Sequence, residues 1–320
     1  MNRSLRTLLL AGAAVAVPAS VNAIIAARAG QMEQPLPGDV AYYDWVYGRV
    51  AYYKLGAGTP LLLVHNPHAG SSSWEWRKIF VELANRYTVY ALDLLGFGLS
   101  EKPDITYSGR MNASLVHDFL QDVIGQRADA IGSALGAAYL VNTAVRRPES
   151  LGRLALVNPT GTTSSWPAGL EHVICSTLHT PVLGTSIYHA MVSMTNIERE
   201  LKEHVYYDPA FVTPELVCAL YTSAHQRGSR FAATAFITGR LDLPMRMAFS
   251  SLTQPTILVW GRDAYYTPVG DAADLLYRHP QAKLSLLDEC GMLPHDEKAG
   301  DFLALVGDFL AGAGAGEMVA

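Results

Sequence analysis

The chain has 320 residues, of which 50% are hydrophobic and 17% are charged, and its formal net charge is −5. This length suits one large α/β domain or two small ones, and it is enough to enclose a substantial core. The mild acidity gives no reason to expect the basic patch that nucleic-acid binding requires, so no nucleic-acid partner is expected. The three cysteines are too widely spaced for a zinc site. We expect neither a metal nor a cofactor.

The first predicted element is an uncharged run from Leu8 to Ala27, about the length that spans a bilayer. Arg3 and Arg6 precede it, which favours an N-terminus in the cytoplasm and a body carried across the membrane. The run is either a secretory signal peptide with a small-residue cleavage site or an uncleaved membrane anchor. We assign residues 1–30 to this segment and expect the globular domain to be exported across, or anchored in, the cytoplasmic membrane.

Strand-like and helix-like segments alternate after a polar linker over residues 31–39. The middle strand-like runs are continuously apolar, as in strands buried on both faces of a parallel sheet. The runs are AYYDWVYG, VAYYKLG, PLLLVH, TVYALDL, ADAIG, RLALVNP, TILVWG and KLSLLD. Helical patterns lie between them, at Trp74–Asn85, Leu115–Ile124, Leu135–Arg147, Gly270–Arg278 and Phe302–Leu310. This alternation predicts an α/β fold with a mostly parallel central sheet flanked by helices.

Residues 161–251 interrupt the alternation, because they contain helix-like segments and no strand of comparable strength. The interval is too long for a structureless loop. We predict a helical cap over the carboxyl edge of the sheet, where open α/β folds bind ligands. The core is assigned to residues 40–160 and 252–311, and residues 312–320 are expected to form a flexible tail.

Four stretches carry a resemblance to a known family: LLLVHNPHAGSSSWEWR, ALDLLGFGLSEKP, AIGSALGAAY and CGMLPHDEK. Together with the order of elements, they resemble the α/β-hydrolase fold family over nearly everything from Val40 to Leu310. The resemblance implies a nucleophile, usually serine, on a tight strand-to-helix turn called the nucleophile elbow. It also implies an acid and then a histidine in chain order, with backbone N–H groups forming an oxyanion hole.

The elbow in AIGSALGAAY has an unexpected residue at its centre. The turn tolerates only small residues two positions before and two positions after the nucleophile. Centring on Ala134 places Gly132 and Gly136 there, whereas centring on Ser133 would place two branched side chains there. The pattern therefore places Ala134, which cannot attack a carbonyl, at the nucleophile position and Ser133 beside it.

The other two triad positions of the family also fall on residues that cannot ionise. The acid position falls on Ala264 in WGRDAYYTP, and Asp263 precedes it by one residue. The histidine position falls on Met292, and His295 follows three residues later. Asp263 and His295 are therefore displaced candidates rather than matches to the family pattern.

The oxyanion hole is a fourth position that departs from the family. The donor at Leu135 is retained, but the second position falls on Pro67, which has no N–H group. His65 matches a structural histidine of the family. The pocket candidates are His65, Asn66, His68, Tyr265 and Tyr266.

These departures predict a catalytically inactive pseudo-hydrolase, a ligand-binding or structural subunit on the extracytoplasmic side of a membrane. Its expected partners are an apolar small ligand or a membrane-protein complex, with membrane contact through residues 8–27. The alternative is an active serine hydrolase or esterase that uses the displaced residues Ser133, Asp263 and His295. That alternative requires the three side chains to converge within hydrogen-bonding reach under the cap.

Overall fold

The structure is a computed structural model. It describes the backbone of residues 3–34, 36–161, 166–167 and 169–312, and the side chains within these ranges from residue 15 onward. Of the predicted tail at residues 312–320, all but Gly312 lies outside the described residues.

Eight strands form a single sheet, and each corresponds to one of the predicted apolar runs. They are β1 Asp39–Trp45, β2 Gly48–Leu55, β3 Thr59–Val64, β4 Tyr87–Leu92, β5 Ala128–Ser133, β6 Leu151–Val157, β7 Thr256–Gly261 and β8 Lys283–Leu287. Their order across the sheet is β1-β2-β4-β3-β5-β6-β7-β8. β2 runs antiparallel to both of its neighbours, whereas the other neighbouring pairs are parallel. The predicted fold class is confirmed.

Helices cover both faces of the sheet and fill the interval between β6 and β7. They are α1 Arg3–Ala29, α2 Phe80–Ala84, α3 Gly109–Phe119, α4 Leu135–Arg146, α5 Leu170–His179, α6 Leu183–Met191, α7 Met194–Glu200, α8 Pro214–Ala224, α9 Ser229–Ile237, α10 Arg246–Phe249, α11 Val269–Arg278, α12 Pro294–Glu297 and α13 Ala299–Leu310.

Two helices differ from their predicted bounds for local reasons. The helix predicted over Trp74–Asn85 is divided into a 3₁₀ turn, Ser73–Trp76, and the short α2. α3 begins well before its predicted start, because the Ser108 side chain accepts a hydrogen bond from the Met111 N–H and caps the helix. A π-helical turn, Leu120–Ile124, then continues α3.

The core lies on both faces of the sheet because side chains alternate along each strand. In β3, Leu62 and Val64 pack on the face covered by α3 and α4. Leu61 and Leu63 pack on the opposite face, which α13 helps to cover. Each buried aliphatic side chain contributes about 1.5–3 kcal/mol relative to an exposed one.

The cap consists of α5 to α10 and is attached to loops at the carboxyl ends of the strands. The Met292 N–H, in the loop after β8, donates to the Val205 carbonyl at 2.7 Å. Tyr206, next in the chain, donates its hydroxyl proton to Asp296. A Cβ atom on Gly70, after β3, would approach the Leu220 carbonyl oxygen of α8 to 2.5 Å. Core and cap therefore meet above the sheet edge where parallel α/β folds bind ligands.

The C-terminal part of α1 packs against the cap. The Asn22 amide donates to the Val182 carbonyl at 3.1 Å and accepts from the Ser186 hydroxyl at 3.1 Å. The Thr222 hydroxyl of α8 donates to the Ala29 carbonyl at 3.0 Å.

Among the described residues, no helix has both the length and the hydropathy needed to cross a membrane. The predicted span starts at Leu8, and the side chains of residues 8–14 lie outside the described part. Export or anchoring therefore stays a prediction.

Candidate active site

The turn from β5 into α4 has the strained geometry of a nucleophile elbow, and Ala134 is at its tip. Ala134 has φ 45° and ψ −111°, a conformation that costs a non-glycine residue about 1–3 kcal/mol. Its N–H donates to the Val157 carbonyl at 2.9 Å. A Cβ atom on Gly132 would lie 2.8 Å from the Ala137 nitrogen, and one on Gly136 would lie 2.4 Å from the Val64 oxygen. Only glycine fits these two flanking positions.

Ala264 and Met292, at the family's acid and histidine positions, are both buried in the main hydrophobic core. The Met292 sulfur lies 3.6 Å from the Thr267 hydroxyl oxygen. Asp263 is exposed, and among the described residues it has no contact with His295. The prediction that Ser133, Asp263 and His295 converge is therefore wrong for Asp263, because the Asp263 side chain points to solvent.

Ser133 and His295 are instead connected through Glu75. The Ser133 hydroxyl is beside the Glu75 carboxylate and helps to lower its pKa. Nε2 of His295 lies 3.3 Å from Oε1 of the same carboxylate. Ser133 is 1% exposed and His295 is fully buried, so the three polar side chains form a cluster shielded from solvent.

The charge of Glu75 depends on this cluster. Burial alone would raise the pKa of Glu75, because it disfavours a charged carboxylate. Contact with His295, the nearby His65 and the hydrogen bond from Ser133 outweigh that effect and hold the pKa below its usual range. Glu75 is therefore an ionised acceptor at neutral pH.

Glu75 was missed by the sequence analysis, although the sequence contains a signal for it. It stands between Trp74 and Trp76, and Trp76 is fully buried. The 3₁₀ turn that holds these residues begins at Ser72, whose hydroxyl accepts from the Trp74 N–H. A carboxylate flanked by large apolar side chains is rarely buried without partners. The sequence alone could not show which residues those partners are.

His295 is held by aromatic neighbours as well as by Glu75. Its ring centroid lies 4.5 Å from that of Trp76 and 5.9 Å from that of Phe302. The next residue, Asp296, accepts from Arg77 at 2.6 Å and lies 3.0 Å from the Lys78 ammonium. Burial raises the pKa of Asp296, but Arg77 and its other partners hold it below the usual range.

Asn66 links the Leu135 N–H, at the start of α4, to Glu75. The Leu135 N–H donates to Oδ1 of Asn66 at 3.4 Å. The Asn66 N–H in turn donates to Oε2 of Glu75 at 3.1 Å. Pro67 is buried next to them and contributes no donor. The Leu135 N–H and the Asn66 amide are therefore the polar groups that flank the elbow on this side.

The two candidate histidines of the loop after β3 have local partners. The Leu94 N–H donates to Nε2 of His65 at 3.1 Å, which identifies His65 as a structural residue. Nδ1 of His68 lies 3.1 Å from the Ala69 carbonyl, and burial lowers the pKa of His68. Among the described residues, no group of three or more His, Cys, Asp or Glu side chains is placed to hold a metal.

Tyr265 and Tyr266 differ from their predicted place in a pocket. They are 61% and 53% exposed, respectively. The Tyr266 hydroxyl donates to Glu200, and the Tyr265 ring lies 4.4 Å from that of His204. Both tyrosines are therefore largely exposed and contact residues of the cap.

Asn158 is a second buried polar residue that the sequence analysis did not identify. It follows β6 with φ 40°, and its amide donates to the Gly291 and Met292 carbonyls at 3.2 and 2.8 Å. Its Oδ1 accepts from the Gly261 N–H at 3.1 Å. Asn158 therefore fixes the loops after β7 and β8 beside the elbow.

A cleft of about 600 Å³ opens next to the turn that carries Glu75. Its walls come from the linker after α1, the loop after β3 and helix α8. They include Met32, Gly70, Ser72, Trp74, Cys218 and Leu220. Ser133 and Ala134 are not part of its lining. Trp74, the neighbour of Glu75 in the chain, is part of the cleft lining.

Comparison with known proteins places this fold and site in a family. Residues 61–305 match the model of the alpha/beta hydrolase family, which is more than two thirds of the chain. The chain belongs to the alpha/beta hydrolase family. The match begins in β3 and ends in α13, so it includes the elbow, Glu75, the cap and His295.

Relatives of the chain are named as hydrolases. One is a 2-hydroxymuconate semialdehyde hydrolase of Pseudomonas sp. (strain CF600), 29% identical over 83% of this chain and 92% of that protein. A solved meta-cleavage product hydrolase of Pseudomonas fluorescens has a TM-score of 0.71 and 24% identity, and the match covers 85% of this chain and 98% of that one. A solved membrane phospholipase A has a TM-score of 0.70 and 23% identity, and covers 99% of this chain and 100% of that one.

These findings contradict the hypothesis that the chain is a catalytically inactive pseudo-hydrolase serving as a membrane subunit. That hypothesis was based on the replacement of the family's usual triad residues. The matched relatives are named as hydrolases over most of their length, and the described residues contain no helix that qualifies as a membrane span. The prediction of an active hydrolase with displaced residues agrees better with these relatives.

Proposed function

We propose that this protein is an active serine hydrolase that attacks the carbonyl carbon of an apolar substrate. Ser133 is the nucleophile, Glu75 is the general base, and His295 positions Glu75. The observation that supports this most is the buried cluster itself: Ser133 lies close enough to Glu75 to lower the pKa of that carboxylate, and His295 lies 3.3 Å from it. A nucleophile in contact with a base that a third group orients is the usual arrangement for this chemistry.

In the proposed mechanism, Glu75 accepts the Ser133 proton as the hydroxyl oxygen bonds to the substrate carbonyl carbon. The Leu135 N–H, which donates to the Asn66 side chain in the closed site, is the backbone donor proposed for the negatively charged oxygen that forms. When the bond to the leaving group breaks, Glu75 returns the proton to that group and an acyl-Ser133 ester remains. Water then attacks the ester while Glu75 takes a proton from it, and Glu75 returns this proton to the Ser133 oxygen as the ester bond breaks and the acid product is released.

The substrate class follows from the names of the relatives and from the apolar groups beside the cluster. The names of these relatives state their substrates, 2-hydroxymuconate semialdehyde and meta-cleavage products, and these compounds carry carbonyl groups. In this chain, Ala134, Ala264 and Met292 are buried apolar residues at the three positions where the family has its triad. We therefore propose an acyl compound with an apolar chain, cleaved at an ester or at a carbon–carbon bond next to a ketone.

Substrate access requires the cap to move. Ser133 is only 1% exposed, and the contacts of Val205 and Tyr206 hold the cap to the loop after β8. Closing a site in this way excludes water and strengthens the interactions around a developing charge. Cap opening is therefore expected to limit the turnover rate.

The test measures hydrolysis of p-nitrophenyl butyrate and of 2-hydroxymuconate semialdehyde by the wild-type chain and by Ser133→Ala. A matched control is Ser250→Ala, which removes an exposed serine hydroxyl bonded only to the nearby Met247 carbonyl. We expect Ser133→Ala to lower kcat/KM by roughly 10³-fold or more, and the control to leave it unchanged. Full activity in Ser133→Ala, or a wild-type chain inactive on both substrates, would contradict the proposal.

A further inference from the structure

A second concave site lies at the far end of α4 from the elbow. It encloses about 530 Å³, within the range of small-molecule pockets. Its polar lining includes Ser108, Arg110, Asn142, Arg146, Arg240 and Asp242. α4 is 12 residues long, so Arg146 at its end is about 18 Å from the elbow along the helix axis. The two sites are therefore separate.

The three arginines of this pocket are not neutralised by ion pairs with other described residues. Among the described residues, none of the three forms an ion pair, whereas Arg77, Arg262 and Arg278 each pair with a carboxylate. The one carboxylate in the lining, Asp242, already has an interaction of its own. The pocket thus gathers three positive charges and one negative charge in a protein whose net charge is −5.

Arg110 stands where a positive charge is unfavourable without a ligand. It lies in the first turn of α3, at the positive end of the helix dipole, and that turn contains no acidic residue. A helix usually favours Asp or Glu at this position, by about 0.3–1 kcal/mol. A bound anion would reverse the sign of the local interaction, because it would face the arginines at the positive end of the helix dipole.

The backbone around the pocket is closely packed, which fixes the backbone positions from which the arginine side chains extend. The Gly109 N–H donates to the Arg240 carbonyl at 3.1 Å. A Cβ atom on Gly109 would lie 2.5 Å from the Leu241 oxygen and 2.6 Å from the Asp242 oxygen. The start of α3 therefore packs directly on residues 240–242, and only glycine permits this approach.

We propose that this pocket binds a phosphate group. Guanidinium groups present planar, paired N–H donors that match phosphate oxygens, and several of them around one anion give both affinity and orientation. The phosphate comes either from a soluble phosphorylated compound or from a lipid headgroup, and the experiment distinguishes these sources.

The test is calorimetric titration of the full chain with pyrophosphate, at low and at high salt. We expect pyrophosphate to bind less tightly at high salt. We also expect Arg110→Gln and Arg240→Gln each to weaken its binding by about tenfold. The control is Arg147→Gln, since Arg147 is exposed, lies one residue beyond α4 and is outside the pocket lining. Thermal melting of each variant checks that the fold is retained.

A second arm uses phosphatidylcholine vesicles with and without phosphatidic acid. Binding to phosphatidic acid vesicles alone, lost in the same variants, supports the pocket and identifies a lipid headgroup as the source. Binding to pyrophosphate, lost in the same variants, supports a soluble ligand. The proposal is overturned if neither probe binds, or if the pocket variants bind as tightly as Arg147→Gln.

Discussion

Substitution of Glu75 separates its role in folding from its role in catalysis. The carboxylate accepts from the Asn66 N–H at 3.1 Å, contacts His295 and receives the Ser133 hydroxyl. Glu75→Ala leaves these buried groups without their acceptor, and two lost hydrogen bonds to a charged group amount to about 3 kcal/mol of unfolding free energy. Glu75→Gln keeps the shape and one acceptor oxygen, so we expect a loss of about 1–2 kcal/mol.

Catalysis responds differently to the two Glu75 variants. An amide cannot accept the Ser133 proton, so Glu75→Gln is expected to lower kcat by about 10²–10⁴-fold although the fold is retained. Urea unfolding measures the stability, and hydrolysis of p-nitrophenyl butyrate measures the rate. A Glu75→Gln variant that is stable and fully active would refute the assignment of Glu75 as base.

The pH dependence gives an independent check on the same residue. The pKa of Glu75 is lower in the folded chain than in the unfolded chain, because its partners favour the charged form. The stability it contributes is therefore fully present above the unfolded-state pKa, about 4.5, and is lost as the pH falls through the folded-state pKa. We expect the difference in unfolding free energy between wild type and Glu75→Gln to shrink below about pH 4.5. A difference that stays constant there would contradict this electrostatic account.

Two further predictions concern the elbow and the cap. Gly136→Ala should destabilise the chain by about 2–4 kcal/mol in urea unfolding, because the new methyl group would lie 2.4 Å from the Val64 oxygen. Gly270→Ala, at a helical position with open space, is its control, and equal stability of the two variants would exclude a close packing of the elbow. Burial, with His225 and Arg230 nearby, lowers the pKa of His189 to about 4. Stability should therefore fall by roughly 1–2 kcal/mol as the pH decreases from about 6.5 towards 4, less than the full conversion of the shift because of solvent screening. His189→Phe should reduce that loss, and an unchanged pH profile in this variant would rule out His189 as its source.

The fold could be predicted because its signals are local. The middle strands are nearly continuous apolar runs, and the requirement for Gly132 and Gly136 follows from the sterics of one turn. The break in the helix predicted over Trp74–Asn85 was harder to predict from the sequence. Both Trp76 and Phe80 are fully buried, and a 3₁₀ turn followed by a separate short helix directs them and Glu75 inward.

The site could be predicted only in part, because its contacts connect distant parts of the chain. Glu75, which follows β3, is close to Ser133 at the end of β5 and to His295 in α12, after β8. No spacing rule within the sequence relates these three positions. Counting from family motifs led to Asp263, one residue from the expected acid, but its backbone directs the side chain to solvent. A pattern therefore located the elbow, and the three-dimensional structure identified the carboxylate beside it.

Covalent labelling of the nucleophile tests the central claim most directly. The chain is incubated with a fluorophosphonate probe, which reacts with activated serines, and the labelled peptide is identified by mass spectrometry. We predict a single modification on Ser133, slowed by Glu75→Gln and absent in Ser133→Ala, with Ser250→Ala labelled like the wild type. Absence of labelling on Ser133 while the wild-type chain hydrolyses its substrate, or labelling that persists in Ser133→Ala, would contradict the account.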